Sequence, residues 1–331
     1  MGGSVRPVVV VGAGLAGLSC ALHLQRAGVP CTVLEASDGV GGRVRTDEFE
    51  GFRLDRGFQV LLTAYPEALR VLDIDALDLR RFRPGALVRR DGRFHPVGDP
   101  FREPGRALST LRSPVGTLAD KLAVPALRWR CGRGSIDDQL EAPDSETAEF
   151  LRAAGMGPSI VEGFFRPFLG GVFLDPTLAT SSRMFRFVFR MFSQGHAAIP
   201  ARGMGAIPEQ LVQQLEEGTV RLRTEVEGVE PERVHLVGGE TIDCAQVVVA
   251  TDGTTAAGLV GGITRPRWNA VTCLYFEAEE APVTEPVLIL DGDGTGPVNN
   301  LCFPTQVSSD YGPRDRALVS ARVLGSDEDV S

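Results

Sequence analysis

Residues 8–17 read VVVVGAGLAG, with four valines running straight into Gly12-Ala13-Gly14-Leu15-Ala16-Gly17. A continuous β-branched run is the mark of a parallel strand buried on both faces. The three glycines of the GxGxxG turn each answer a separate demand. Gly12 permits the tight turn, Gly14 lets the backbone approach a pyrophosphate, and Gly17 lets the following helix pack closely on the strand. That helix is expected to run to about Ala27, with Leu18, Cys20, Ala21, Leu22 and Leu24 as its apolar surface and Gly28 as the glycine that ends it. A second strand, Cys31–Leu34, then delivers Glu35, 21 residues after Gly14. A carboxylate at that strand end can accept both hydroxyls of an adenosine ribose, and its charge repels a 2′-phosphate. Glycines serving packing alone would be the bland alternative, but strand, turn, helix, second strand and terminal acid occur here in the order that dinucleotide binding requires.

The continuation distinguishes between dinucleotides. Glu35-Ala36-Ser37-Asp38-Gly39-Val40-Gly41-Gly42-Arg43 places paired glycines where a loop must run close to a ligand. Arg43 can neutralise phosphate charge beside the helix N-terminus. This stretch resembles the second signature of the flavin amine oxidase superfamily, which includes monoamine oxidases, protoporphyrinogen oxidases and phytoene desaturases. The resemblance implies FAD as cofactor and an α/β, Rossmann-like FAD/NAD(P)-binding fold with an inserted α+β substrate domain.

Later segments extend the resemblance. Residues 233–251, RVHLVGGETIDCAQVVVAT, read as a hairpin about Gly238-Gly239 followed by a buried strand. They are similar to the hairpin and closing strand of FAD domains in this superfamily. The resemblance also implies that the backbone of Val226 meets the adenine, with sheet core as the competing role. Gly203 to Leu211 resembles the glycine turn and helix where the chain re-enters the FAD domain. The expected organisation is therefore a discontinuous FAD domain, 1–75 and 201–262, with a substrate domain at 76–200 and 263–331. Asp55-Arg-Gly57-Phe58-Gln59 resembles the family segment that passes beside the flavin ring, although an ordinary turn at Gly57 accounts for the same residues.

Charge excludes one class of partner. The chain of 331 residues carries 34 basic and 43 acidic residues, a net −9, which argues against nucleic acid. The distribution is uneven. Residues 80–133 hold 12 arginines and Lys121 against four acids, whereas 134–149 hold six acids and no base. Two mutually offsetting surfaces, or a solvated face, explain this simply; a basic collar facing an anionic lipid surface, and thus peripheral membrane contact, is the sharper alternative. The cysteines at 20, 31, 131, 244, 273 and 302 include no CxxC pair, which fits a reducing cytoplasm. Cys20 and Cys31 read as small core residues. No apolar run approaches the ~20 residues of a membrane span. The four histidines have no metal-ligand spacing, and no metal is expected.

In the segment TSSRMFRFVFRMF, 180–192, alternating phenylalanines permit a strand. Capping residues at 180–182 and Gly195 favour a helix, with Phe185, Phe189 and Phe192 on one face as core packing or a hydrophobic substrate wall. Flavin enzymes of this kind pass a hydride equivalent from a substrate C–H to flavin N5, so no acid–base pair is required and no catalytic residue is assigned. Oxygen or a quinone would be the electron acceptor. The strand that in amine oxidases bears a lysine resembles WNAVTCLYF, 268–276, which has none. A desaturase- or oxidase-like reaction on a hydrophobic small molecule is accordingly favoured. The sequence ends at Ser331 without the glycine-rich closing helix that the resemblance implies, so a truncated chain is expected. A non-catalytic FAD- or lipid-binding protein and an NAD-dependent dehydrogenase are the alternative readings.

Overall fold

The computed structural model describes residues 6–325. The chain divides into two compact units. Met1–Asp47, Glu67–Asp78 and Arg202–Trp268 form the first; Glu48–Pro66, Leu79–Ala201 and Asn269–Ser331 form the second.

The first unit is built on a four-stranded, wholly parallel sheet. Strand β1 (Val8–Val11) lies between β2 (Cys31–Leu34) and the strand Gln246–Val249, and Val220–Arg221 pairs on the far side of β2. All four valines of β1 are buried, and their alternation divides them between two layers. Val8 and Val10 pack with Leu18, Ala21 and Leu22 of helix α1 (Leu15–Arg26) and with Leu211. Val9 and Val11 pack with Val234 and Leu236 of a three-stranded antiparallel sheet, Val226–Glu230, Arg233–Leu236 and Thr241–Asp243, and with Cys244 just beyond it. Two-sided burial is why the strand sequence contains no polar residue. Gly28, at φ +72°, ends α1 in the left-handed conformation expected of it. Cys20 and Cys31 are half-buried rather than buried, at the edge of the same cluster.

The second unit contains a six-stranded mixed sheet. Its spatial order is Val271–Ala278, Ala317–Leu324, Val298–Cys302, Leu288–Asp291, Gly85–Arg90, Arg93–Gly98. Every pairing is antiparallel except that of Leu288–Asp291 with Gly85–Arg90. Helices α2 (Ala107–Arg112), α3 (Leu118–Gly132) and α4 (Ser182–Gln194) belong to the same unit. A helical core gathers Leu127, Cys131, Leu151, Phe165, Leu169 and Phe185.

The segment 180–192 forms a helix from Ser182 onward. Ser181 caps α4 by accepting from Arg183 N, Gly195 ends it, and Phe185 is fully buried with Phe189 5.3 Å away ring to ring. Residues 48–66 differ from the expected division. They pack in the second unit because Leu61–Leu62 pair with Ala197 and Ala198, and because buried Asp55 accepts from Tyr311 Oη at 2.7 Å. The basic stretch also behaves differently from the two offsetting surfaces. Its arginines pair with carboxylates outside 134–149: Arg83 with Glu103 and Glu285, Arg89 with Asp293, Arg128 with Asp99.

Candidate dinucleotide site

The predicted glycines occupy the C-terminal ends of the parallel strands, where open α/β sheets bind ligands. Gly12 has φ +103°, and a Cβ there would lie 2.9 Å from Ala250 O. At Gly17 a Cβ would sit 1.9 Å from Gly12 O, so only a hydrogen lets the first turn of α1 meet the strand end. Gly14 is different. Its backbone is extended (φ −70°, ψ 176°) and a Cβ would meet no atom within 4 Å. Two glycines of the motif are thus required by the protein, and the third faces open space.

Gly14 is also the N-cap of α1, with no capping side chain and no acid in the first turn. Among the described residues the leading amides of Leu15, Ala16 and Gly17 therefore have no side-chain acceptor, an arrangement suited to an anion. The Gly41-Gly42 loop folds against this turn. Gly41 N donates to Ala13 O at 2.8 Å, and a Cβ on Gly42 would come within 3.5 Å of Gly14 Cα. Gly41, at φ +104°, cannot carry a side chain without striking Val44 O at 2.2 Å.

Glu35 stands at the end of β2 beside the exposed Ala36. One carboxylate oxygen accepts from Ala13 N at 2.8 Å; the other accepts from Ser37 N at 2.9 Å and Ser37 Oγ at 2.7 Å. A carboxylate has roughly four acceptor positions. The Ser37 hydroxyl has one proton and reaches Gly39 O at 2.8 Å as well as Glu35, so the firm donors to the carboxylate are Ala13 N and Ser37 N, one on each oxygen. Thr224 N donates to Glu35 O at 2.8 Å, which anchors the segment leading into half-buried Val226 next to the same strand end.

Arg43 is exposed, with its guanidinium 5.0 Å from the centre of the Trp268 ring. Asp252, which caps the helix Gly253–Leu259, is held below the usual carboxylate range by the hydrogen bond from Thr255, and the nearby Arg43 charge acts in the same direction. Ser37, Asp252 and Trp268 escaped the sequence reading. The first two could have been suspected from a serine two residues beyond the strand-end acid and from the D-G-T-T cap pattern; the proximity of Trp268 to Arg43 is not local in sequence.

Twelve of the expected site residues thus lie in the first unit: Gly12 to Gly17, Glu35, Ala36, Gly41, Gly42, Arg43 and Val226. Gly57, Phe58 and Gln59 lie in the second. There Gly57 has φ +84° with open space at its Cβ position, and the Phe58 carbonyl accepts from buried Arg322, whose guanidinium is 4.9 Å from the Phe58 ring.

Residues 15–330 match the family model of flavin-containing amine oxidoreductases. The chain belongs to that family. Its cofactor is accordingly FAD, and the family assignment sets aside the NAD-dependent dehydrogenase. Among curated relatives, coproporphyrinogen III oxidase of Propionibacterium freudenreichii subsp. freudenreichii is 26% identical over 315 residues, covering 76% of this chain and 58% of the relative. Carotenoid 3,4-desaturase of Haloarcula japonica is 27% identical over 284 residues, covering 74% of this chain and 55% of the relative. The chain thus spans little more than half the length of these relatives. The crystal structure of a putative protoporphyrinogen oxidase from Exiguobacterium sp. 255-15 superposes with a TM-score of 0.71 at 20% identity, over 99% of this chain and 81% of that one, a likeness of fold.

The residues present fit the family's cofactor on physical grounds. Uncapped amides, an open Gly14 face and the nearby Arg43 suit a pyrophosphate, and Glu35 brings a negative charge to the place where a ribose without a 2′-phosphate would lie.

Proposed function

We propose that this chain acts in the FAD-dependent oxidation of a hydrophobic small molecule, in a desaturase- or oxidase-like reaction. The observation that carries the reading is the cradle in which Gly14 alone faces open space while Gly12, Gly17 and Gly41 are closed by the protein itself. In this reading the amides of residues 14–17 hold the pyrophosphate, Gly41 and Gly42 let the second loop approach it, and Arg43 offsets its charge. Glu35, oriented by Ala13 N and Ser37, accepts from the adenosine ribose, and the backbone about Val226 borders the adenine. Gly57, Phe58 and Gln59 form the segment beside the ring system, with the Phe58 carbonyl pinned by Arg322.

Bound there, FAD would supply a two-electron acceptor for a hydride from a substrate C–H, with oxygen or a quinone as the eventual electron acceptor. The protein's part is to bind, orient and exclude water, so no acid–base residue is assigned. Two observations favour an apolar substrate over an amine. The relatives matched over most of this chain are named for a porphyrinogen and for a carotenoid. The strand Val271–Ala278, VTCLYFEA, has no lysine.

The test is anaerobic bleaching of the flavin-loaded protein by porphyrinogens, carotenoid precursors and lipophilic amines, followed at the flavin absorption bands. Bleaching by one of the first two classes is expected. A protein that remains colourless in excess FAD and leaves flavin fluorescence unchanged defeats the reading.

A further inference from the structure

Helix α3 is apolar on two opposite sides. Leu127 and Cys131 are buried in the helical core and hold α3 to its unit. On the other side Leu118, Leu122 and Trp129 are 61%, 67% and 62% exposed, and Pro125 and Ala126 between them are exposed too. Positions 118, 122, 125, 126 and 129 recur at the helical period, so they form one stripe on the face that a water-exposed helix normally makes polar. Helix α2 adds exposed Leu108 and Leu111. Its end is tied to the first turn of α3, because Lys121 Nζ donates to Leu111 O at 3.0 Å. Isolated exposed leucines are ordinary; five large apolar side chains on two joined helices mark an interaction surface.

The charges around the stripe indicate its occupant. Arg83, Arg89, Arg102, Arg106 and Arg128 are all paired with carboxylates. Arg112, Lys121, Arg130 and Arg133 make no ion pair among the described residues. Arg133 instead lies over Trp129, 4.4 Å from the ring centre. The single acid of α3, Asp120, is buried and occupied by Thr117 and by Gly157 N. Arg112, Arg130 and Arg133 thus add positive charge with no ion-pair partner among the described residues to the elements that expose apolar side chains, while Lys121 is offset in part by adjacent Asp120. A second copy docking by the same face would bring these cations against their own kind. An anionic headgroup layer over an apolar interior complements both features, and tryptophan favours that boundary. At 15 residues α3 is too short to span a bilayer, so it would lie in the interface plane.

We propose that the Leu118–Leu122–Trp129 face of α3, with Leu108 and Leu111 of α2, docks on the surface of an anionic phospholipid bilayer. Docking requires no bound flavin, so this proposal and the flavin chemistry fail separately. The full chain is co-sedimented with phosphatidylcholine vesicles with and without phosphatidylglycerol. Sedimentation with the anionic vesicles at low salt, release at high salt and little binding to pure phosphatidylcholine are expected. Leu122→Glu or Trp129→Glu should weaken binding about tenfold or more, since each removes one inserted side chain, while circular dichroism and the melting temperature remain as in the wild type. Brominated lipid should quench Trp129 in a Trp268→Phe background. Absence of wild-type binding at low salt, wild-type binding by the Leu122→Glu/Trp129→Glu double variant, or a solution dimer that Leu122→Glu dissociates would each overturn the proposal.

Discussion

Separate alanine substitutions at Gly14 and Gly17 divide ligand contact from packing within one motif. At Gly17 the added Cβ would lie 1.9 Å from Gly12 O, so the strand end and helix must part by more than about 1 Å, and overpacking of this kind costs about 1–3 kcal/mol or more. At Gly14 the added methyl meets nothing within 4 Å, and φ −70°, ψ 176° is open to alanine. The flavin-free protein should therefore be unchanged or about 0.4–1 kcal/mol more stable, because alanine restricts the unfolded chain. The same methyl would intrude on a pyrophosphate held against the turn. With a cost again of about 1–3 kcal/mol, the FAD dissociation constant should rise roughly 5- to 150-fold. Urea denaturation of the flavin-free variants gives the first quantity, and a flavin fluorescence-quenching titration gives the second. The reasoning fails if Gly14→Ala unfolds the flavin-free protein as readily as Gly17→Ala does, or if it binds FAD like the wild type.

Three further outcomes are expected. Glu35→Gln turns one acceptor oxygen into a donor facing Ala13 N or Ser37, a loss of about 1–3 kcal/mol; calorimetry should show weaker FAD binding, and unchanged affinity would remove Glu35 from the ribose site. Burial raises the Asp120 pKa, but hydrogen bonds from Thr117 and Gly157 outweigh it and hold the folded value below the usual range. Its stabilisation is therefore present above the unfolded carboxylate pKa of about 3.9 and is lost as pH falls through the folded value. Asp120→Asn should flatten this acid limb in denaturation curves recorded as a function of pH. Burial pushes the Cys131 thiol up to about 12 and that of Cys302 higher still. At pH 8 about one Cys131 in 10,000 is then thiolate, so mass spectrometry should find both residues unlabelled by thiol reagents until the protein is denatured.

The part of the fold most legible in the sequence is the part fixed by near neighbours. β1, the glycine turn, α1, β2 and Glu35 fall within one 30-residue span, and each has a local signal. The hairpin at 233–243 and the strand beyond it were readable for the same reason. The second unit was not, because its sheet joins Gly85–Arg90 to Leu288–Asp291 and that pairing has no local signature. Residues 48–66 group with the second compact unit through Ala197, Ala198 and Tyr311, partners remote in sequence that no local signal announces. Counting charges within 80–149 likewise missed Glu285 and Asp293, the carboxylates that neutralise part of the basic stretch. At the site, glycine spacing indicated which positions matter, but only the geometry separated Gly14 from Gly12 and Gly17.

The parallel sheet of the first unit also sets a schedule for biosynthesis. β1 takes one neighbour from residues 31–34 and the other from 246–249, and Val8 meets Gln246 across 238 positions of chain. At about 5–20 residues per second, roughly 10–50 s separate emergence of the first strand from arrival of its outer partner. Throughout that interval the nascent valine strand has an unpaired edge, the kind of surface on which chaperones act and aggregates grow. Maturation of this half of the protein thus waits on a segment translated after almost the whole of the intervening helical region.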